Sequence, residues 1–289
     1  MTRLPVRPSG GARRRPSQRR ASSRLSPRRA LAALVMVVAG AATWGVAASP
    51  AFAIRTTDVS GIVVTTAADV DAVLALGSPA PNAFMLATDG LRTGLEAIPS
   101  IAGADVSVAL PGTLQVRIVE RTPILAWRTG ASLLLVDRDG RVIADAGSAD
   151  ASPAARAIAA GLPTVDDRRV PAAQGGDLVS EVQPLLAIGG RLGPIDLDVA
   201  RRLLSLQPAD LGSGAGALQV RLDDADGWTL RPAVDRPWTA VFGFYSATLR
   251  QADLIPEQAR LLHSLLAGRE AQLVRIILAD GTHGTYTTK

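Results

Sequence analysis

Twenty consecutive residues without an ionisable side chain, Ala30 to Ser49, separate a wholly basic tail from a body of 240 residues. At about 1.5 Å rise per residue, twenty helical residues span roughly 30 Å, the thickness of a bilayer's hydrocarbon core. A single membrane-spanning helix is therefore expected. The tail, residues 1–29, carries ten arginines, among them Arg13, Arg14, Arg15, Arg19, Arg20, Arg24, Arg28 and Arg29, and no acidic residue. Arg55 is the first charge after the apolar run. Positive-inside logic keeps the short tail in the cytoplasm and turns the body outward.

The net charge of +5 belongs to the tail, which holds 10 of the 31 basic residues and none of the 26 acidic ones. The remainder has 21 basic against 26 acidic residues. A concentrated charge beside an apolar segment reads as topology and attraction to anionic lipid. Nucleic acid is not an expected partner, because the basic residues of the body are scattered and no aromatic residues interleave with them. The chain has no cysteine, which excludes a disulfide framework and thiolate metal sites and leaves core burial as the source of stability.

A cleaved secretory signal is the competing reading of the first fifty residues. Ala51-Phe52-Ala53 fits the small-x-small cleavage pattern, and it comes after an Ala-rich apolar stretch. Against cleavage stand the length of that stretch and the length of the basic region before it. Both readings place the body outside the cytoplasm, and residue composition alone leaves them open.

From Phe52 to Pro123 strands and helices alternate. Phe52, Ile54 and Val59-Ser60-Gly61 suggest a first strand and its turn. Thr66 with Asp69 resembles a capping box opening a helix whose apolar face is Val70, Val73 and Leu74. A second helix is expected from Asp89 to Ala97, with Leu91, Leu95 and Ile98 inward and Pro99 ending it. Val106, Val108 and Leu110 then alternate with Asp105, Ser107 and Ala109, Pro111-Gly112 turns the chain, and Leu114, Val116 and Ile118 alternate on the return strand. The order strand, helix, helix, strand, strand is that of a POTRA module.

The segments Ile98 to Ile101, Ala104 to Val108, Leu110 to Leu114 and Ile118 to Pro123 occur in that order, with Ala126-Trp127 and Val136 to Gly140 after them. In order and spacing they resemble the bacterial cell-division FtsQ/DivIB family. The resemblance implies an α+β chain with four parts: a disordered cytoplasmic tail (1–29), a transmembrane helix (30–49), a POTRA domain (52–123), and a mixed β-sheet domain with flanking helices (124–289). It also decides between anchor and signal. In the family the apolar segment is retained, and cleavage after Ala53 would cut into the first strand. The displaced alternative is a secreted cell-wall enzyme or carbohydrate-binding protein released near Ala53.

In the second half, strands are expected over Ile124 to Trp127, Ser132 to Val136 and Arg141 to Ala144, then a long irregular connection from Ala146 to Gly176. Leu178, Val182, Leu185 and Leu186 suggest one helix, and Val199, Leu203, Leu204 and Leu206 another. Gly212 to Gly216 reads as a loop, since a Gly-x-Gly without an acidic partner downstream is no dinucleotide fingerprint. Further strands are expected at Leu218 to Leu222, Trp228 to Leu230 and Ala240 to Phe244. A helix opening at Pro256 comes next, with Leu261, Leu262, Leu265 and Leu266 inward, and Leu273 to Leu278 and Thr282 to Thr287 complete the pattern.

No catalytic constellation, metal site or cofactor motif emerges. His263 and His283 stand apart, and the aspartates at 137, 139, 223, 224 and 226 sit at turns, where side-chain to backbone hydrogen bonds explain them. The expectation is a non-enzymatic protein without a small-molecule substrate, working through protein contacts in the membrane. The resemblance implies division partners of FtsB and FtsL type, localisation at the septum, and a docking edge in the late strands. The candidate residues are Val274, Arg275, Ile276, Ile277 and Leu278, flanked by Tyr286. One departure is that the family often has Asp-Leu-Arg in this strand, where Ile276-Ile277-Leu278-Ala279 stands here. A second reading places the same apolar strand in the interior of the sheet.

Overall fold

The computed structural model describes residues 26–169, 186–234, 236–248 and 250–289, which divide into two compact units between Ser49 and Pro50. The first unit is helix α1 (Pro27–Ala47), none of whose residues is buried. It begins at Pro27 because proline suits the first helical turn, where an N–H has no intrahelical partner. It stops short of Ser49-Pro50, since a proline disfavours helical backbone at the residue before it. The Thr43 hydroxyl donates to the Ala39 carbonyl at 2.8 Å, which satisfies it on an apolar surface. With a mean hydropathy of 2.0, α1 is long and apolar enough to cross a membrane.

The second unit begins with a 3₁₀ turn (Pro50–Phe52) and a three-stranded sheet. Its elements are β1 (Thr56–Ser60), α2 (Ala67–Leu74), α3 (Thr88–Glu96), β2 (Ile101–Ala109) and β3 (Thr113–Glu120). The spatial order is β1-β3-β2, with β1 parallel and β2 antiparallel to β3. This is the expected strand, helix, helix, strand, strand order. On β3, Leu114, Val116 and Ile118 are buried, as the alternation of the sequence requires, and they pack against Val70, Leu74, Leu95 and Ile101. Thr66 caps α2 by accepting from the Asp69 amide at 3.2 Å and donating to its carboxylate at 2.6 Å. The expected first strand is corrected at its start. Phe52 belongs to the 3₁₀ turn, and β1 begins only at Thr56, because the intervening backbone is already committed to two loops. The Ile54 amide donates to the Pro81 carbonyl at 3.0 Å and the Arg55 amide to that of Gly112 at 2.9 Å.

Glu120, at the end of β3, locks the small sheet to the strands and helix beyond it. Its carboxylate accepts the amides of Val64 and Thr65, each at 2.8 Å, and so holds a loop that drives Val64 into a cluster with Leu135, Ile143, Ala155 and Ala159. Arg121 pairs with the buried Asp137 at 3.2 Å, and the hydroxyls of Thr65 and Ser100 share a hydrogen bond at 2.7 Å. Charge-assisted bonds to backbone amides are among the stronger kind. Glu120→Ala is expected to cost about 2 kcal/mol, the usual penalty for orphaned polar groups. Hydrogen exchange checks it: the Val64 and Thr65 amides should lose protection before those of β3.

The larger sheet has nine strands. Its elements in chain order are β4 (Pro123–Thr129), β5 (Ser132–Asp137), β6 (Val142–Asp145), α4 (Pro153–Gly161), β7 (Thr164–Asp167), α5 (Pro194–Leu204), β8 (Leu218–Asp223), β9 (Gly227–Pro232), β10 (Thr239–Gly243), α6 (Ile255–Leu266), β11 (Leu273–Leu278) and β12 (Gly284–Thr288). The spatial order is β12-β11-β10-β9-β8-β7-β4-β5-β6. Parallel pairs β4/β7 and β10/β11 arise because a helix, α4 or α6, intervenes between the paired strands. Val199, Ala200 and Leu203 of α5 and Ile255, Ala259, Leu262 and Leu266 of α6 share a core with Trp127, Trp228, Trp238 and Phe242. Trp127 and Trp228 meet edge to face at 5.9 Å, and the Trp127 indole donates to Asp167 at 3.0 Å.

The irregular connection expected from Ala146 to Gly176 is also corrected, since it contains α4 and β7. Ser152 caps α4 by accepting from the Ala155 amide at 3.0 Å, and Pro153 comes directly after it. The inward residues of that helix include Ala155 and Ala159, too small to announce an apolar face. Of the helix expected around Leu178, Val182, Leu185 and Leu186, the first three residues lie outside the described residues, whereas Leu186 packs against the main core.

A candidate strand-docking edge

The end of the nine-stranded sheet is built by α6, β11 and β12. β11 alternates Leu273, Ile276 and Leu278 toward the core with exposed neighbours, and a register shift between Leu273 and Arg275 leaves Val274 and Arg275 outward in succession. β11 is paired on both sides: parallel to β10 through Arg275, Ile276 and Ile277, and antiparallel to β12 through Arg275↔Thr287, Ile276↔Tyr286 and Ile277↔Thr285. Its backbone is therefore interior to the sheet. The side chains of the candidate residues divide accordingly. Ile276 and Leu278 are buried, Val274 and Ile277 are partly exposed, and the Arg275 guanidinium is paired with Asp226. Tyr286, on β12, is 48% exposed with Arg269 over its ring at 6.0 Å.

Among the described residues no strand lies beyond β12, and every residue of it is exposed. An edge strand of this kind presents alternate N–H and C=O groups outward. β12 reads Gly-Thr-Tyr-Thr-Thr, with neither charge, proline nor bulge within it to discourage pairing. The opposite edge of the same sheet is treated differently. Along the outer side of β6, the Val142 amide donates to Gly190, the Gly189 amide to Val142 and the Leu192 amide to Gly140, all at 2.8–2.9 Å. One edge is thus partly covered by the chain itself, and among the described residues the other is left open.

Three devices hold the open edge in place. Gln258, fully buried on the apolar face of α6, donates to the carbonyls of Phe242 at the end of β10 (3.3 Å) and Leu278 at the end of β11 (3.0 Å), and accepts from the Tyr245 hydroxyl at 2.6 Å. Burial pushes the Tyr245 phenol well above its ordinary range, so it stays a donor. Second, the β11–β12 turn is organised by Asp280, whose carboxylate accepts the amides of Thr282 and His283, each at 2.6 Å, and sits 2.9 Å from the His283 ring. The Thr282 amide, then that of His283, then the His283 side chain hold this carboxyl well below the usual range. Gly281 packs so closely on α6 that a Cβ there would lie 2.5 Å from Cβ of Glu257, which fixes the turn against the helix.

Third, Glu270 anchors the entry to β11. It accepts from the Ser213 hydroxyl, the Gly214 amide at 3.0 Å and the Trp238 indole at 2.8 Å, with Arg236 at 3.8 Å. Desolvation alone would raise its pKa, but these donors and the nearby cation outweigh it and hold the carboxyl below its ordinary value of 4.5. A depressed folded value means that the stabilisation is complete above the ordinary value and is lost as pH falls through the folded one. The urea midpoint is therefore expected to fall as the pH drops below about 4.5, and Glu270→Gln should flatten that part of the profile.

Of the candidate residues named from the sequence, Tyr286 alone lies on β12; Thr285 and Thr287 share that strand with it, and Gln258, not among the candidates, bonds to the end of β11. A glutamine one turn from Ile255 and Leu262 on an apolar helical face was the available signal. The histidines serve locally: Nδ1 of His263 lies 3.0 Å from the Asp210 carbonyl, and His283 belongs to the Asp280 turn. Among the described residues no group of three or more His, Cys, Asp or Glu could hold a metal ion.

Residues 52–121 match the family model described as POTRA domain, FtsQ-type. Similar curated proteins carry the name cell division protein FtsQ. The one from Jannaschia sp. is 37% identical over 114 residues, which is 39% of this chain and 34% of that protein. That from Cereibacter sphaeroides is 34% identical over 96 residues, 33% of this chain and 31% of the relative. The Chloroflexus aggregans protein is 27% identical over 270 residues, 93% of this chain and 82% of the relative. The matched stretch thus spans about a third of the length of the first two relatives and most of the third.

Proposed function

Because the chain belongs to the FtsQ/DivIB family of bacterial cell-division proteins, we propose that it is a non-enzymatic, single-pass scaffold of the division machinery. Its arginine tail lies in the cytoplasm, α1 crosses the membrane, and the folded body works on the outer side, concentrated at the septum. The body binds membrane-anchored division proteins of FtsB or FtsL type and so connects ring assembly inside the cell to septal peptidoglycan synthesis outside it.

The single observation that carries this reading is the open, uncharged β12 edge, set against a β6 edge partly covered by the chain's own backbone. An extended partner segment would add to β12 as a tenth strand, with main-chain hydrogen bonds supplying affinity and alternate side chains supplying specificity. Tyr286 would take the partner's side chains on one face, and Ile277 with Thr285 and Thr287 on the other. The docking site therefore shifts by one strand from Val274–Leu278 to β12, with β11 as its support.

Depletion of the protein in its native cells tests the function, with a fluorescent fusion in parallel. Filamentous or undivided cells and a septal band are expected. Normal septation on depletion, or an even distribution around the envelope, would reject the division role.

A further inference from the structure

Around the segment that follows α1 in sequence, the POTRA module carries an apolar surface that the docking edge does not explain. Phe84 is 55% exposed, Met85 72% and Leu110 59%, and Phe52 packs edge to face on Phe84 at 5.1 Å. Backbone bonds bring these residues together on either side of one short segment. The Ala83 amide donates to the Phe52 carbonyl at 2.7 Å, Ala53 bridges to Asn82, and the Arg55 amide donates to Gly112 at 2.9 Å. Gly112 lies so close to the Ala53 carbonyl that a Cβ there would collide with it, which holds the Leu110-Pro111-Gly112 turn against the same segment.

Charge is missing from both loops. No ionisable residue occurs from Ala72 to Thr88 or from Val106 to Val116, so covering this surface would desolvate no charged side chain from either stretch. Arg55 lies at the margin, with its guanidinium 3.1 Å from the Pro50 carbonyl. Exposed Phe and Met beside a basic residue, with no acid among them, match a bilayer's headgroup boundary, where apolar groups enter the acyl margin and a cation meets phosphate.

Chain reach supplies the argument for lipid as the occupant. Phe52 lies five residues beyond the end of α1 at Ala47, and five residues extend at most about 18 Å. The segment that leaves the bilayer is thus the one to which both apolar loops are stitched. We propose that Phe52, Phe84, Met85 and Leu110 seat the POTRA module in the headgroup layer of the membrane that holds α1. The module then rests on the lipid surface through a second, non-spanning contact. This inference is independent of the division reading and would survive its failure.

The absence of native cysteine makes the test direct. Single cysteines placed by M85C, L110C and, as an equally exposed control in the larger sheet domain, V234C are labelled with an environment-sensitive fluorophore. The full-length protein is then placed in nanodiscs of phosphatidylcholine and phosphatidylglycerol. Labels at 85 and 110 are expected to be blue-shifted, quenched by brominated lipid and shielded from aqueous iodide, whereas the label at 234 shows the reverse. Adding Phe84→Ser to L110C should cause loss of the lipid quenching at 110. Iodide access at 85 and 110 equal to that at 234 would overturn the proposal. Shielding from both quenchers would do so too, by placing protein there, as would lipid quenching at 110 undiminished by Phe84→Ser.

Discussion

Tyr286→Ala is expected to weaken partner capture by about 30-fold while leaving the fold intact. The ring is half exposed on a strand whose outer edge is open, so about half of its surface is free in the unbound protein and available to a partner. Aromatic residues in this position are typical interface anchors, and truncating one costs about 2 kcal/mol of binding, which is the stated fold-change. The folded monomer loses only the contact with Arg269 at 6.0 Å and part of one cross-strand pair with Ile276, worth well under about 1 kcal/mol together. Titration of the purified variant with the partner's extracytoplasmic segment, alongside a urea melt, separates the two effects. Unchanged affinity with an unchanged melt would remove Tyr286 from the docking surface.

Gln258→Met is expected to lower stability by about 3 kcal/mol, and to do so by loosening the β11–β12 end of the sheet first. Methionine keeps the unbranched shape and roughly the volume, so the loss isolates the hydrogen bonds. Without the amide, the Leu278 carbonyl and Tyr245 hydroxyl lose their bonds to it inside the core, and each orphaned buried group costs about 1–3 kcal/mol. The Phe242 carbonyl keeps its bond from Arg250, which limits the damage on β10. A urea melt gives the total, and hydrogen exchange gives the location: the β11 and β12 amides should lose protection ahead of β4 and β5. Uniform loss across the sheet would show that Gln258 serves the whole core and not this edge.

The two halves of the body differed in how legible they were. In the POTRA module, β3 buries every second residue and Thr66 and Asp69 cap a helix whose apolar face is spaced at one turn, so local pattern and tertiary role coincide. The α4–β7 stretch was opaque because alanines line its helix and a single valine, Val165, is the buried residue of its strand. The candidate site was half legible for a different reason. Period-two alternation identifies the faces of Leu273–Leu278 but carries no information on which strands lie beside it. That β11 is interior and β12 outermost is fixed by the parallel crossover through α6, a long-range fact that no window of residues contains.

The unequal treatment of the two ends of the larger sheet has a consequence for stoichiometry. A sheet with two open ends can propagate, each added copy offering a fresh end to the next, and contacts of that heterologous kind generate filaments. With the β6 end occupied in part by residues 189–192, a strand added at β12 would leave the next copy no equivalent open end. The same geometry makes the choices exclusive: a β12 engaged with a second copy about a two-fold axis has no room for a foreign strand. On the proposed docking reading, pairing with a second copy at β12 would therefore compete with partner capture for this one edge.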